Sequence, residues 1–200
     1  MSQIKLLHSG GNGVSIVAPD SNPASDRTLK LPSDGDGTIL TTNSATGKIL
    51  QVLQTVKTDT TTTTSTTFEN ISGLSVDITP SSASSKILVI IDLSLGGPVT
   101  NTHCVRIARG STGIYIGDAV GSRPRASQAL SYINGYTYEI QTVHKTFLDS
   151  PNTTSATTYN AQWRRGSSGT FWLNRSARDS NNADYDGRSA SSITVMEVAA

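Results

Sequence analysis

Lys86-Ile87-Leu88-Val89-Ile90-Ile91-Asp92-Leu93-Ser94-Leu95 is the most apolar run in a chain otherwise rich in serine, threonine and glycine. Ile87, Val89, Ile91, Leu93 and Leu95 recur at period two. Leu88 and Ile90 begin the opposite face, which turns polar at Asp92 and Ser94. β-branched residues at this period predict a strand buried on one face throughout and on both faces at its start. The run is too short to span a bilayer, which takes roughly 20 apolar residues. It reads as the central strand of a β-sandwich.

Outward from it, the same alternation returns in short pieces. Leu74, Val76 and Ile78 alternate with Ser75, Asp77 and Thr79 and stop at Pro80. Val105 and Ile107 flank Arg106, a turn Gly110-Ser111-Thr112-Gly113 follows, and Ile114 and Ile116 offer a short partner. Tyr159, Ala161 and Trp163 share a face, and strands are predicted over 138–148, 156–165, 170–174 and 193–198. Residues 49–58 are apolar on both faces, the threonine run 58–67 is a loop or an exposed edge, and Asn134-Gly135 is a hairpin signal. Helical periodicity is absent. The fold class is all-β: an antiparallel, jelly-roll-like β-sandwich over residues 49–200.

Residues 1–48 differ. Glycines and prolines interrupt them every few positions, leaving apolar pieces at 14–17, 28–31 and 38–40 that cannot bury a core alone. Such an arm of short strands becomes stable when several chains share it, which points to a homo-oligomer; a flexible leader is the alternative.

The formal net charge is +1 and only 16% of residues are charged, so no basic excess favours nucleic acid or an anionic membrane. The single cysteine, Cys104, excludes an intrachain disulfide. The opening residues contain no apolar run of signal-peptide length. A chain with an extracellular-type composition, no disulfide and no secretory signal is expected to leave its cell by lysis, as a virion component does.

Three phrases carry a resemblance. They are Ser25-Asp26-Arg27-Thr28-Leu29-Lys30-Leu31-Pro32 running on through Gly37-Thr38-Ile39-Leu40-Thr41-Thr42, then Ile78-Thr79-Pro80 through Val89, and the ending Ser192 to Val198. The first resembles segments of bacteriophage tail-fibre and other virion structural proteins. The other two resemble the C-terminal β-domain of fibre-like proteins of tailed phages, including phages of aquatic hosts. The resemblance implies a homotrimeric virion appendage. Residues 1–48 would be the attachment or shaft segment, contacting other virion proteins, and residues 49–200 the head facing the host. A capsid decoration protein, or a lectin-like or glycan-hydrolysing sandwich, are the alternatives.

The motifs for chemistry are weak. His103 and Cys104 are adjacent, so on a strand they point to opposite faces and cannot act together. His8, His103 and His144 show no metal-ligand spacing. Asn182, Asp184, Asp186 and Gly187 occupy the first positions of a calcium loop, but Ile193 stands where its final acid belongs. Asp149, Asp179, Asp184 and Asp186 are the carboxylates available for glycan cleavage, with nothing to set two of them at a working separation. The expectation is therefore a non-enzyme with no cofactor and no metal. Recognition has more to work with. Arg123 and Arg125 sit on a proline-stiffened loop, Tyr132 and Tyr136 flank the Asn-Gly pair, and Trp172, Arg175, Arg178 and Tyr185 lie on or beside a polar loop. Aromatic faces beside arginines suit a host-surface glycan.

Overall fold

The computed structural model describes residues 3–7, 9–11, 13–17, 49–97, 101–130 and 137–200. The chain divides into two units, Met1–Ser44 and Ala45–Ala200. In the first, β1 (Gln3–Leu7) and β2 (Gly13–Val17) pair antiparallel, with Leu7 opposite Gly13. The apolar pieces at 28–31 and 38–40 lie outside the described residues.

The second unit contains β3 (Ile49–Lys57), β4 (Thr61–Thr63), β5 (Glu69–Ile78), β6 (Lys86–Gly96), β7 (His103–Arg109), β8 (Thr112–Ile114), β9 (Gln128–Leu130), β10 (Gln141–Asp149), β11 (Thr157–Arg164), β12 (Phe171–Leu173) and β13 (Ser191–Val198). They form two antiparallel sheets. One runs β3-β13-β6-β12-β4, with β10 on the free side of β6. The other runs β5-β11-β7-β8, with β9 also on β7. No helix occurs among the described residues.

β6 is central, as its sequence predicts. Ile87 pairs with Asp149 of β10 on one side and Glu197 of β13 on the other, and Leu95 pairs with Gln141 and Leu173. Ile87, Val89, Ile91, Leu93 and Leu95 are buried, with Val143, Phe171, Leu173, Ile193 and Val195 from the same sheet. Ile71, Leu74, Val76, Ile78, Val105, Ile107, Tyr159, Ala161 and Trp163 meet them from the other sheet. Each fully buried aliphatic side chain contributes about 1.5–3 kcal/mol relative to exposure. Leu88 and Ile90 are only half-buried, because no second layer among the described residues covers that face.

β5 shows how local geometry serves the core. Gly73 takes φ +80°, a left-handed conformation that side-chain-bearing residues rarely adopt. The pairing with β11 slips there, from Asn160–Ser75 to Gln162–Asn70. This bulge lets both Ile71 and Leu74 face inward, where strict alternation would expose one of them.

Three boundaries differ from the sequence reading. Tyr115 takes φ 52°, so β8 ends at Ile114 and does not include Ile116. Part of the threonine run is the edge strand its reading allowed, Thr61–Thr63 pairing with β12 at the end of the sheet, but Thr63 is buried rather than exposed. β3 is apolar on both faces, but Ile49, Leu50, Val52, Leu53 and Val56 are all exposed, because β3 is the sheet's outermost strand. Asn134-Gly135 lies outside the described residues, and its flanking strands β9 and β10 belong to different sheets.

Candidate functional site

The loop between β8 and β9 is anchored at both ends. Ser127 N–H donates to the carbonyl of Val105 at 3.0 Å, and Ser127 Oγ accepts from Ile107 N–H at 3.0 Å. Gly117 N–H donates to the Ala126 carbonyl at 3.2 Å, and Arg125 Nε donates to the Gly117 carbonyl at 2.7 Å. Pro124 stiffens the tip between the two arginines. The loop borders two adjacent clefts that share Arg123, Pro124 and Ala129.

The larger cleft, of about 510 Å³, gathers Asn101, Cys104, Arg123, Arg164 and Ser167. It holds two guanidinium groups and no carboxylate among its described lining residues. Arg164 is aimed by its Nε, which donates to the Thr66 carbonyl at 2.7 Å. The opposite wall is stitched to itself: Ser167 Oγ donates to Asn101 Oδ1 at 2.7 Å, and Asn101 Nδ2 donates to Ser168 Oγ at 2.7 Å. Gly166 is required there, since a Cβ would lie 2.7 Å from both Asn101 Cβ and the Thr102 carbonyl oxygen. The smaller cleft, of about 360 Å³, is bordered by Arg125 and Asp118.

Cys104 and His103 behave as their alternation on β7 dictates. His103 is buried, its ring stacked 4.5 Å from Phe171, with Nδ1 accepting from Gly166 N–H at 3.2 Å. Cys104 borders the cleft. Burial pushes its thiol pKa up against the opposing pull of Arg164, so the thiol stays protonated and is a poor nucleophile.

The other predicted cluster is brought together but is bonded within itself. Arg178 lies between two aromatic rings, 5.0 Å from the Tyr138 centroid and 5.2 Å from that of Tyr185. Its Nε donates to Asp186 Oδ2 at 2.8 Å. Asp186 also accepts from Ser176 Oγ at 2.7 Å and Ser180 N–H at 2.9 Å. The Arg178 bond, with those from Ser176 and Ser180, holds this carboxyl down at about 2 despite desolvation. Arg175 and Arg188 both pair with Asp179, at 2.9 and 2.7 Å, and Arg175 sits 5.6 Å from the Trp172 ring. Trp172, Arg175, Arg178 and Tyr185 line neither cleft. Tyr132 and Tyr136 lie outside the described residues.

No protein-family model matches this chain. Comparison with curated protein sequences finds no match either. Site chemistry therefore rests on the residues themselves.

The calcium-like spacing at 182–187 resolves into turn bonding. Asn182 Oδ1 accepts from Asp184 N–H at 2.8 Å, and the Asp186 carboxylate is taken by Arg178, Ser176 and Ser180. Among the described residues no group of three or more His, Cys, Asp or Glu side chains is placed to hold a metal. Asp149 is buried and accepts from Tyr159 Oη at 2.6 Å and Arg109 at 2.8 Å. Burial and this carboxylate push the Tyr159 hydroxyl pKa up.

Sequence reading missed three polar residues that organise the unit. Glu197 is fully buried. Burial alone would raise its pKa, but bonds from Ser81 (2.7 and 2.8 Å) and Gln51 (2.7 Å) hold it at about 2. Its signal was present: Glu197 follows Ile193 and Val195 on the inward face of β13. Asn174, with φ 61°, donates to the carbonyls of Lys57 and Asp59 and accepts from Ser191 Oγ. Arg164, the second arginine of the cleft, stands at the end of a core strand and had no local pattern to mark it.

Proposed function

We propose that this chain is a structural protein of a tailed-bacteriophage virion, a homotrimeric fibre with a jelly-roll-like head that binds an acidic glycan of the host surface. The observation that supports the binding half is the larger cleft, with Arg123 and Arg164 and no acidic lining residue. Guanidinium groups pair with planar carboxylates or sulfates through parallel N–H donors, and Asn101 and Ser167 offer partners for hydroxyls. The tail-fibre-like phrases at 25–42, 78–89 and 192–198 support the virion half. Residues 1–48 would join other virion proteins, and display of three heads would turn weak single-site binding into avid attachment. No catalytic step is part of this reading. Asp149, Asp179 and Asp186 are engaged by arginines, and the cleft presents no carboxylate to act as acid or base.

Binding of uronic-acid and sulfated oligosaccharides, measured by calorimetry beside their neutral counterparts, tests it. The expected result is binding of the acidic sugars only, weakened at least tenfold by Arg123→Ala or Arg164→Ala and by raised salt. Equal binding of neutral sugars, or an unchanged affinity in both variants, would overturn the role of the cleft.

A further inference from the structure

The sheet containing β6 has a second face, turned away from the core, and its side chains align in register across four strands. Leu148 of β10 is opposite Leu88 of β6, Leu88 is opposite Met196 of β13, and Met196 is opposite Val52 of β3. The next row is Thr146, Ile90, Thr194 and Gln54, followed by His144, Asp92, Ser192 and Val56. Leu148, Val52 and Val56 are 44%, 54% and 55% exposed. Gln54 Nε2 already donates to Thr194 Oγ1 at 2.8 Å, so the central polar groups satisfy each other and lose little when water leaves.

We infer that this face, Leu148–Leu88–Met196–Val52 and the rows beside it, packs against a second copy of the same chain. Three observations favour a copy over another occupant. The first is charge. Apart from Lys86 at one end, the rows carry only Asp92 and His144, which sit opposite each other. A face that meets its own copy brings like residues close, so a neutral apolar face is self-compatible where a charged one repels. Lys86 alone is not the basic cluster that attracts an anionic lipid surface.

The second is size. Four strands about 4.8 Å apart, with about nine residues each at 3.4 Å, give a face of roughly 500 Å². Two such faces together bury roughly 1,000 Å², at the lower limit for a specific interface, where association is weak. The third is the edge. β3 is an outermost strand with apolar side chains on both faces and no proline. Its one charged residue, Lys57, is buried and paired with Asp59, so β3 adds no charge to this face.

This inference rests on the homo-oligomeric part of the proposed function and names the surface through which copies meet; like faces that meet about a two-fold axis give a two-chain mass, and about a threefold axis a three-chain mass. The test is the solution mass of the full chain across a concentration series, by light scattering on a sizing column, for the native sequence and for the Val52→Glu/Leu148→Glu double variant. Both side chains are exposed in the single chain, so the variant is expected to keep its circular dichroism spectrum and its Tm within a few degrees. The expected result is a multimer for the native chain and a single-chain mass for the variant at the same concentration. A milder Val52→Thr/Leu148→Thr variant is expected to weaken association by at least tenfold while folding normally, which covers a double variant that fails to fold. A native chain of single-chain mass would overturn both the homotrimer and this inference. A multimer unchanged in both variants would overturn this face alone and leave the homotrimer standing. Binding of a monomeric native chain to neutral phosphatidylcholine vesicles, lost in the variants, would assign the face to lipid and overturn the inference.

Discussion

Two loops of this unit carry arginines, and they use them in opposite ways. In the loop after β12, Arg175, Arg178 and Arg188 meet Asp179 and Asp186, and Arg178 is also covered by Tyr138 and Tyr185. In the loop before β9, Arg123 reaches the larger cleft, whose one other charged residue among the described lining is Arg164. Arginine content is alike in the two; the placement of carboxylates differs. The first loop spends its charge on its own shape. The second leaves charge directed at solvent, where an anion can take it. An arginine-rich loop therefore signals binding only once its internal acids have been located.

The sharpest way to break this comparison is to remove the first loop's acid. Asp186→Ala strips a nearly buried carboxylate from three donors, leaving Arg178, Ser176 and Ser180 without it. The loss is expected to be the largest of the set, read as a lower urea midpoint with an unchanged slope. If Asp186→Ala unfolds at the native midpoint, the network is decoration and the contrast fails.

A second variant asks whether the cleft is held open by packing. Gly166→Ala places a Cβ 2.7 Å from Asn101 Cβ and from the Thr102 carbonyl, so the wall must shift. Overpacking of this kind costs about 1–3 kcal/mol. Acidic-sugar binding is expected to weaken with stability, whereas Gly73→Ala, at the distant bulge, should lower stability and leave affinity intact.

Acid tests the same contrast more gently. Asp186 and Glu197 both titrate at about 2 in the folded chain, below their ordinary values of 3.8 and 4.5. The unfolded chain therefore takes up protons first as pH falls. Their stabilisation is complete above about pH 5 and is lost progressively between there and pH 2. Amide exchange should accelerate in the loop after β12 and around Ser81 within that window.

The smallest expected change is the most discriminating. Arg123→Ala should alter stability by less than about 0.5 kcal/mol, because among the described residues no side-chain hydrogen bond or ion pair ties this guanidinium to the fold, while Arg178→Ala should cost more. Equal losses in the two would erase the distinction between a structural and a ligand-facing arginine.

Much of the fold was legible in local alternation. The runs ending in Leu95, Ile78 and Trp163, and Ile193 with Val195, announced their buried faces because a strand exposes its two sides on strict alternation. Glu197 was legible by the same rule as an inward acid, though its partners Ser81 and Gln51 were not. The site was less legible. Arg123 and Arg125 were marked by the proline between them, and Trp172, Arg175, Arg178 and Tyr185 by composition. Whether each guanidinium was spent or available depended on residues far away in the chain.

By itself, then, the sequence determined the longer strands and which face of each is apolar, because these follow from neighbours two residues apart; the short strands β4 and β9 did not announce themselves. Tertiary structure alone decided the rest. It placed β13 between β3 and β6, aligned Leu148, Leu88, Met196 and Val52 into one row, and brought Arg164 beside Arg123. Those pairings join residues tens of positions apart or more, and they are selected by the shared burial of two sheets.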